Sequence, residues 1–360
     1  MARVWNRVQE PSTVRLVTLL THGSIQARRG MIAAMRITAT AGCRRDFAAP
    51  ESDLVRAMAD LLSHHRLDDG PIDLQDLVGD EDPWKDLDTA LESIVESLDQ
   101  PEDRREAAHA GFLVALMADD PDGDALRTAR LIARALHADD QIAIDLEASA
   151  TAEAKIAEAD LFRRFLSWKT GVDLDTVVDR LQHELPVVET PTEVVEELRR
   201  RIGSSAAGTV GAELGNFYRD TGFDIPGSPG TLPLEVLGSH DVHHILTGYD
   251  AGPEDEVYLA VYTAANSRRG GTEYLAVIAL QWHQGIRLGV FDPARAILDP
   301  VKMIEAARRG DETPVDLTEL DWDWMALLDL PLEEARSNLG IPPGGSWVPG
   351  GRWDARLREE

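Results

Sequence analysis

Between residues 51 and 171, apolar side chains recur at intervals of three and four, the spacing of one face of an α-helix. Clear examples are Leu54, Met58 and Leu61, and then Leu126, Ala129, Ile132 and Leu136. Few runs of β-branched residues interrupt this spacing. Later segments that end at glycine or proline continue it, so the pattern predicts a mostly helical protein.

Proline and glycine residues divide the helical pattern into segments. Pro186 and Pro191 flank a short acidic and β-branched piece, where we expect a boundary between two helical domains. The predicted organisation is a disordered basic leader at 1–48, a helical domain at 49–175 and a second helical domain at 186–342. A tail rich in proline, glycine and tryptophan at 343–360 is expected to be an extended strap or disordered, and its tryptophans could dock on the domain surface. No function follows from it.

The charge of the chain excludes one class of partner. Its 64 acidic and 36 basic residues give a net charge of −28, which repels nucleic acid, so we expect no nucleic-acid partner. The one cysteine, Cys43, allows neither an intrachain disulfide nor a thiolate zinc cluster, so a metal would need nitrogen and oxygen ligands. The apolar runs fall short of the roughly 18 residues that a membrane-spanning helix needs.

The first 45 residues differ in composition from the rest, because their charged residues are arginines with Glu10 as the one acid. This composition is typical of a transit peptide, which would place the protein on the matrix side of a mitochondrion. A misassigned start, with Met31 or Met35 as the true first residue, explains it equally well. We favour the second interpretation and a cytoplasmic protein with possible peripheral contact to a membrane.

The segment from Pro233 to Tyr249 carries the candidate chemistry. It contains His240, Asp241 and His244, and Gly248 is a plausible end of the helix. At about 100° per residue, these three side chains fall on one arc of the helix surface, at roughly 0°, 100° and 40°. Two histidines four residues apart can reach one metal ion from adjacent turns.

Glu256 follows His244 after a turn and opens the next predicted helix, so it could fold back as a fourth ligand. We therefore predict a divalent metal site formed by His240, Asp241, His244 and Glu256. Zinc is favoured, and iron, manganese and magnesium are alternatives, because nitrogen and oxygen ligands suit all of them. Asp241 could instead support a ligating histidine through a hydrogen bond.

This constellation resembles the signature of the Coq4 family of ubiquinone-biosynthesis proteins, His-Asp-x-x-His-x11-Glu. The resemblance covers about residues 192–342. It includes Gly208 to Gly211, Asn216 to Tyr218, His244 to Tyr249, Ala306 to Gly310, Asp321–Trp322, and Leu332 to Ile341. The segment from Ala107 to Phe165 is faintly similar to the TerB-type helical domain of tellurite resistance.

The resemblance implies an all-α protein that binds a divalent ion near a hydrophobic cavity. The activity that it implies is oxidative decarboxylation at C1 of a polyprenylated hydroxybenzoate, which is a lyase-type decarboxylase reaction. The partners that it implies are other enzymes of the quinone pathway. His243 and Tyr249, near the site, could assist proton transfer or support the ligands. Residues that could line a trough for the prenyl tail, or simply pack the core, are Leu234, Leu237, Val257, Val261, Leu275 and Ile278.

Three other functions are alternatives for this segment. A non-catalytic, metal-stabilised scaffold could hold a lipid or an enzyme partner. A zinc peptidase would need a general-base glutamate at the position of Asp241. A phosphohydrolase of the His-Asp type would need another histidine, such as His137 or His183, and a distant aspartate. We rank the metallohydrolases below the scaffold.

Overall fold

The computed structural model describes residues 24–44, 46–47, 51–64, 86–117, 123–138, 154–183, 185–268 and 299–354. Within these ranges the protein is helical, without strands, which confirms the all-α prediction. The helices are α1 Ile25–Ala39, α2 Glu51–His64, α3 Leu87–Ser97, α4 Pro101–Met117, α5 Asp124–Ala135, α6 Ala154–Thr170, α7 Leu174–Gln182, α8 Thr192–Ser204, α9 Val210–Thr221, α10 Leu234–Thr247, α11 Pro253–Asn266, α12 Pro300–Glu312 and α13 Leu332–Leu339. A short 3₁₀ helix, Trp324–Leu327, precedes α13.

Helix α1 lies at the centre of the N-terminal helices and packs against α2, α3, α4 and α5. Met31, Ile32 and Met35 are buried in it, and the Arg28 guanidinium, fully buried, donates a hydrogen bond to the Leu62 carbonyl. The expected disordered leader is therefore wrong over Ile25–Ala39. The basic composition predicted disorder, but this helix also carries apolar residues that pack in the core. Residues 1–23 lie outside the described part.

Helices from the two predicted domains touch each other. Helix α2 packs on α12, and α6 packs on α10, the helix that carries the candidate ligands. From α6, the Lys169 ammonium group donates a 2.9 Å hydrogen bond to the Ser239 hydroxyl. The division into domains at 49–175 and 186–342 stays a prediction. Across the described ranges, no helix has the length and apolar character needed to cross a membrane.

Helices α11 and α12 pack closely against each other at Gly310. A Cβ atom added there would lie 2.2 Å from the carbonyl oxygen of Tyr262 and 3.0 Å from its carbonyl carbon. Both atoms belong to the backbone of α11, so a side chain could be accommodated only if the two helices moved apart. Because α11 carries Glu256 near its first turn, this contact also sets the position of a candidate ligand.

The substitution Gly310→Ala is expected to lower the free energy of unfolding by about 1–3 kcal/mol, the usual cost of overpacking a core. The matched control is Gly203→Ala in α8, where nothing lies within 4 Å of the added atom. That change should stabilise the protein by about 0.5–1 kcal/mol, because alanine favours a helix. Urea denaturation of both variants measures the difference, and equal effects would contradict the close packing.

Candidate metal centre

Two neighbouring helices and the turn between them bring the candidate ligands together. Helix α10 ends at Gly248, whose φ of 80° is the left-handed conformation that glycine adopts without strain. After the turn, Pro253 opens α11, and acidic residues that include Glu256 occupy its first turn, where the positive end of the helix dipole favours them. The predicted helix and its stop at Gly248 are confirmed, and Glu256 lies in the first turn of the next helix.

The side chains of His240, His244 and Glu256 converge on one point. The two histidine Nε2 atoms are 3.2 Å apart. The Glu256 carboxylate places one oxygen 3.3 Å from Nε2 of His240 and the other 3.4 Å from Nε2 of His244. His244 is buried, while His240 and Glu256 keep 15% and 14% of their side-chain surface exposed, so the group is reachable from one side.

These separations fit a metal ion. Ligand atoms about 2.0–2.1 Å from a tetrahedral zinc ion lie about 3.3–3.4 Å from each other. The two histidine Nε2 atoms, 3.2 Å apart, match this edge, and each lies 3.3 to 3.4 Å from a different oxygen of the Glu256 carboxylate. One ligand atom from each of the three residues lies within 4.8 Å of the others. His240, His244 and Glu256 are therefore a group that could hold a metal ion. Three protein ligands leave one tetrahedral position for water or substrate, as in catalytic zinc sites.

The ring of His244 is held from two sides. Its Nδ1 donates a 3.0 Å hydrogen bond to the carbonyl oxygen of Tyr249, so the proton of the neutral ring sits on Nδ1 and Nε2 keeps its lone pair. The ring of Phe217, from α9, stacks on the imidazole with centroids 5.3 Å apart. A hydrogen bond to the second ring nitrogen is the usual way in which proteins orient a metal-binding histidine.

Asp241 lies beside the group but is not one of its three converging ligands. Its carboxylate accepts a 2.8 Å hydrogen bond from the hydroxyl of Tyr218, in α9. Burial raises the pKa of Asp241 to about 6, against the lowering effect of His240, the Tyr218 hydrogen bond and His244. Direct ligation by Asp241 stays a prediction.

His243 contacts other parts of the molecule. Its Nε2 donates a 3.1 Å hydrogen bond to the Leu317 carbonyl, and its ring stacks on Trp322 at 5.4 Å. Burial, and next the positive charge of Lys169, hold the pKa of His243 well below its usual range, so the ring is neutral. These contacts are those of a packed core side chain. Proton transfer by His243 stays a prediction.

Tyr249 contributes its backbone to the centre. The carbonyl oxygen orients His244, while the ring is buried 5.0 Å from the Arg309 guanidinium carbon. Of the proposed trough residues, Leu234, Val257 and Val261 are buried in the hydrophobic core and Leu237 packs against it. Leu275 and Ile278 lie outside the described residues. The prenyl trough therefore stays a prediction.

Charge coupling within the group shifts two pKa values. Burial raises the pKa of Glu256, but the positive charges of His244 and His240 lower it more, and the net result is a pKa below the ordinary range. Burial lowers the pKa of His244, but the Glu256 carboxylate and the Tyr249 carbonyl raise it more, to a net increase. Without metal, His244 and Glu256 therefore form an ion pair over a limited pH range.

We expect the substitution Glu256→Gln to destabilise the metal-free protein most between about pH 4.3 and 6.5, the ordinary pKa values of the two groups. Because folding lowers the pKa of Glu256, its stabilisation of the fold is fully present above the ordinary Glu pKa and is lost as pH falls through its pKa in the folded protein. Because folding raises the pKa of His244, its stabilisation of the fold is fully present below the ordinary His pKa and is lost as pH rises through its pKa in the folded protein. Melting temperatures of both proteins with a chelator, from pH 4 to 9, measure this, and a difference independent of pH would contradict it.

Sequence reasoning missed several residues that support the site. Phe217 stacks on His244, Tyr218 donates to Asp241, and Arg309 lies under the Tyr249 ring. Tyr218 and Arg309 belong to segments that carry the Coq4 resemblance, but their own spacing gives no sign of a contact with the ligands. These contacts could be predicted only if the neighbouring helices were already known.

Comparison of the chain with models of known protein families, with curated proteins and with solved structures finds no match.

Proposed function

We propose that the chain binds one divalent metal ion, zinc in the first instance, through His240, His244 and Glu256. We propose further that it acts, like the Coq4 family, on the C1 carboxyl group of a polyprenylated hydroxybenzoate in prenylquinone biosynthesis. The convergence of two histidine Nε2 atoms and one carboxylate at 3.2 to 3.4 Å supports the metal. The motif resemblance, from His240 to Glu256 and on to Ile341, supports the substrate class.

The site suits a reaction in which a carboxyl group leaves. His240, His244 and Glu256 would hold the divalent ion, which would supply charge stabilisation for a carboxylate and a phenolate as carbon dioxide departs. Beside it, the Asp241 carboxyl group, whose pKa burial raises to about 6 in the metal-free protein, is the group that would hold or release a proton. The Tyr218 hydroxyl, which donates to that carboxylate, fixes its orientation.

The proposed reaction is balanced as follows. The bond between C1 and the carboxyl carbon breaks, carbon dioxide leaves, and a hydroxyl group from water takes its place on the ring. This change is a two-electron oxidation, and dioxygen accepts both electrons and leaves as hydrogen peroxide. The partly exposed edge of the group, at His240 and Glu256, is the side from which a ring substrate would enter.

The test is carbon dioxide release from a prenylated hydroxybenzoate labelled at its carboxyl carbon, incubated in air with the purified, zinc-loaded chain. We expect labelled carbon dioxide from the wild-type protein and none from the variant His244→Ala. Release that persists in the variant would contradict a role for the metal group. A protein that binds zinc but releases no carbon dioxide would contradict catalysis and favour the scaffold function.

A further inference from the structure

The C-terminal segment 342–354, here called the C-terminal strap, is docked on the metal centre. Its two tryptophans, Trp347 and Trp353, are buried, and their rings stack with centroids 4.1 Å apart. The Trp353 ring meets the ring of Phe217 edge to face at 5.3 Å. Phe217 in turn stacks on His244, so a continuous line of aromatic contacts joins the strap to a candidate ligand.

The strap also holds the turn between the two ligand-bearing helices. The backbone N–H of Trp347 donates a 2.8 Å hydrogen bond to the carbonyl of Gly248, the residue that caps the C-terminal end of α10. The backbone N–H of Asp354 donates to the Asp250 carboxylate at 2.8 Å. These bonds lie on either side of Tyr249, whose carbonyl orients His244.

One hydroxyl of the strap links that turn to the helix of the third ligand. Ser346 accepts a 3.2 Å hydrogen bond from the N–H of Asp250 and donates a 2.7 Å hydrogen bond to the carboxylate of Asp255. A serine hydroxyl can do both, because it has one proton and free lone pairs. Asp255 directly precedes Glu256, so Ser346 bridges the His244 side and the Glu256 side of the site.

The approach of the strap is close enough to require glycine. Gly345 has a φ of 90°, and a Cβ atom there would lie 2.2 Å from the carbonyl oxygen of Gly248. Arg309 adds a second fixed point, because its Nη2 donates to the carbonyls of Thr247 and Pro342, at 2.7 and 2.9 Å. The strap is thus joined to the end of α10 through backbone contacts that leave little room for movement.

We infer that the C-terminal strap is a positioning element of the metal centre: it fixes the turn that orients His244 and the first turn that presents Glu256. This inference rests on the proposed metal site. Ser346 and Trp353 are its positioning residues, and neither touches the converging ligand atoms. Removing either is expected to loosen the ligand geometry more than the fold as a whole.

The experiment is cobalt(II) binding by the full chain, measured as an affinity and as the visible absorption spectrum, which reports the coordination geometry. Ser346→Ala is expected to weaken binding about 10-fold and to change the spectrum, as loss of a residue that orients a ligand commonly does. Ser346→Thr keeps the hydroxyl and should restore both. Trp353→Leu should act like Ser346→Ala, and Val348→Ala, on an exposed strap residue, should change neither.

The outcomes separate the two proposals. If the wild-type chain takes up no cobalt, the metal site and the role of the strap both fall. If the wild-type chain binds cobalt and Ser346→Ala and Trp353→Leu bind it with the same affinity and spectrum, the metal site stands and the strap inference is overturned. A lower melting temperature with unchanged binding and spectrum also overturns it. If Trp353→Leu fails to fold, the comparison of Ser346→Ala with Ser346→Thr tests the role of the strap by itself.

Discussion

Replacing His244 with alanine is expected to abolish zinc binding at micromolar concentrations. Mutating a residue that only hydrogen-bonds a metal ligand commonly lowers metal affinity by about 10- to 100-fold. Removing the ligand itself should therefore lower the affinity by more than about 100-fold. The ring lies 3.2 Å from His240 and 3.4 Å from Glu256, measured between the atoms that would face the ion. Its removal leaves two ligands, too few for a closed zinc site. Competition with a chromophoric chelator measures the affinity.

The neighbouring histidine provides the control. His243→Gln removes an imidazole one residue away whose contacts are with Leu317 and Trp322. Its zinc affinity should equal that of the wild-type protein, even if its melting temperature falls. Circular dichroism of both variants checks that the helices persist. If His244→Ala keeps stoichiometric zinc, or if His243→Gln loses it, the assignment of the ligands is wrong.

Local features of the site could be predicted from the sequence because they depend on helix geometry alone. Two histidines four residues apart on a helix necessarily face the same way, and Gly248 marks the end of that helix. The turn after it is short, which restricts where the next helix can place Glu256 relative to the two histidines. The prediction of α10, its end and the converging group His240, His244 and Glu256 needed no knowledge of the rest of the fold.

The missed features depend on contacts between distant parts of the chain. Arg28 contributed to the basic composition from which a disordered leader was predicted, yet its guanidinium is buried and donates to the Leu62 carbonyl. A prediction from composition places such a charged residue on the surface, although a buried carbonyl oxygen can accept the hydrogen bond of its guanidinium group. Phe217 and Trp353 are ordinary apolar residues in sequence, and their role follows from the docking of the strap on α9. Spacing along the chain carries no sign of either contact.

Two arginines, the buried Arg309 and the partly buried Arg336, stabilise the end of the ligand-bearing helix. The last carbonyls of a helix have no partner within the helix. Arg336 donates to the carbonyls of Ile245 and Leu246, at 3.0 and 2.9 Å, and Arg309 donates to that of Thr247. Three such carbonyls are therefore satisfied by side chains from α12 and α13. This arrangement fixes the end of α10 immediately before the turn that orients His244.

Arg309→Ala is accordingly expected to lower the free energy of unfolding by about 3–5 kcal/mol, the sum of a cavity and of buried carbonyls left without donors. The side chain is 1% exposed, and its described partners are carbonyl oxygens and the rings of Tyr249 and Tyr262 rather than carboxylates. Arg308→Ala is the matched control, because that residue forms an exposed ion pair with Glu312 and should cost less than about 1 kcal/mol. Urea denaturation measures both.

A third variant, Arg309→Met, separates volume from hydrogen bonding. Methionine keeps most of the buried volume but leaves the carbonyls of Thr247 and Pro342 without a donor, so its stability should lie between those of the wild-type protein and Arg309→Ala. Methionine also avoids the cost of burying a charge, which opposes the loss of hydrogen bonds. If Arg309→Met is as stable as the wild-type protein, the two hydrogen bonds only balance that cost, and packing alone explains the alanine effect. If Arg309→Ala costs no more than Arg308→Ala, the arginine does not hold the end of α10 at all.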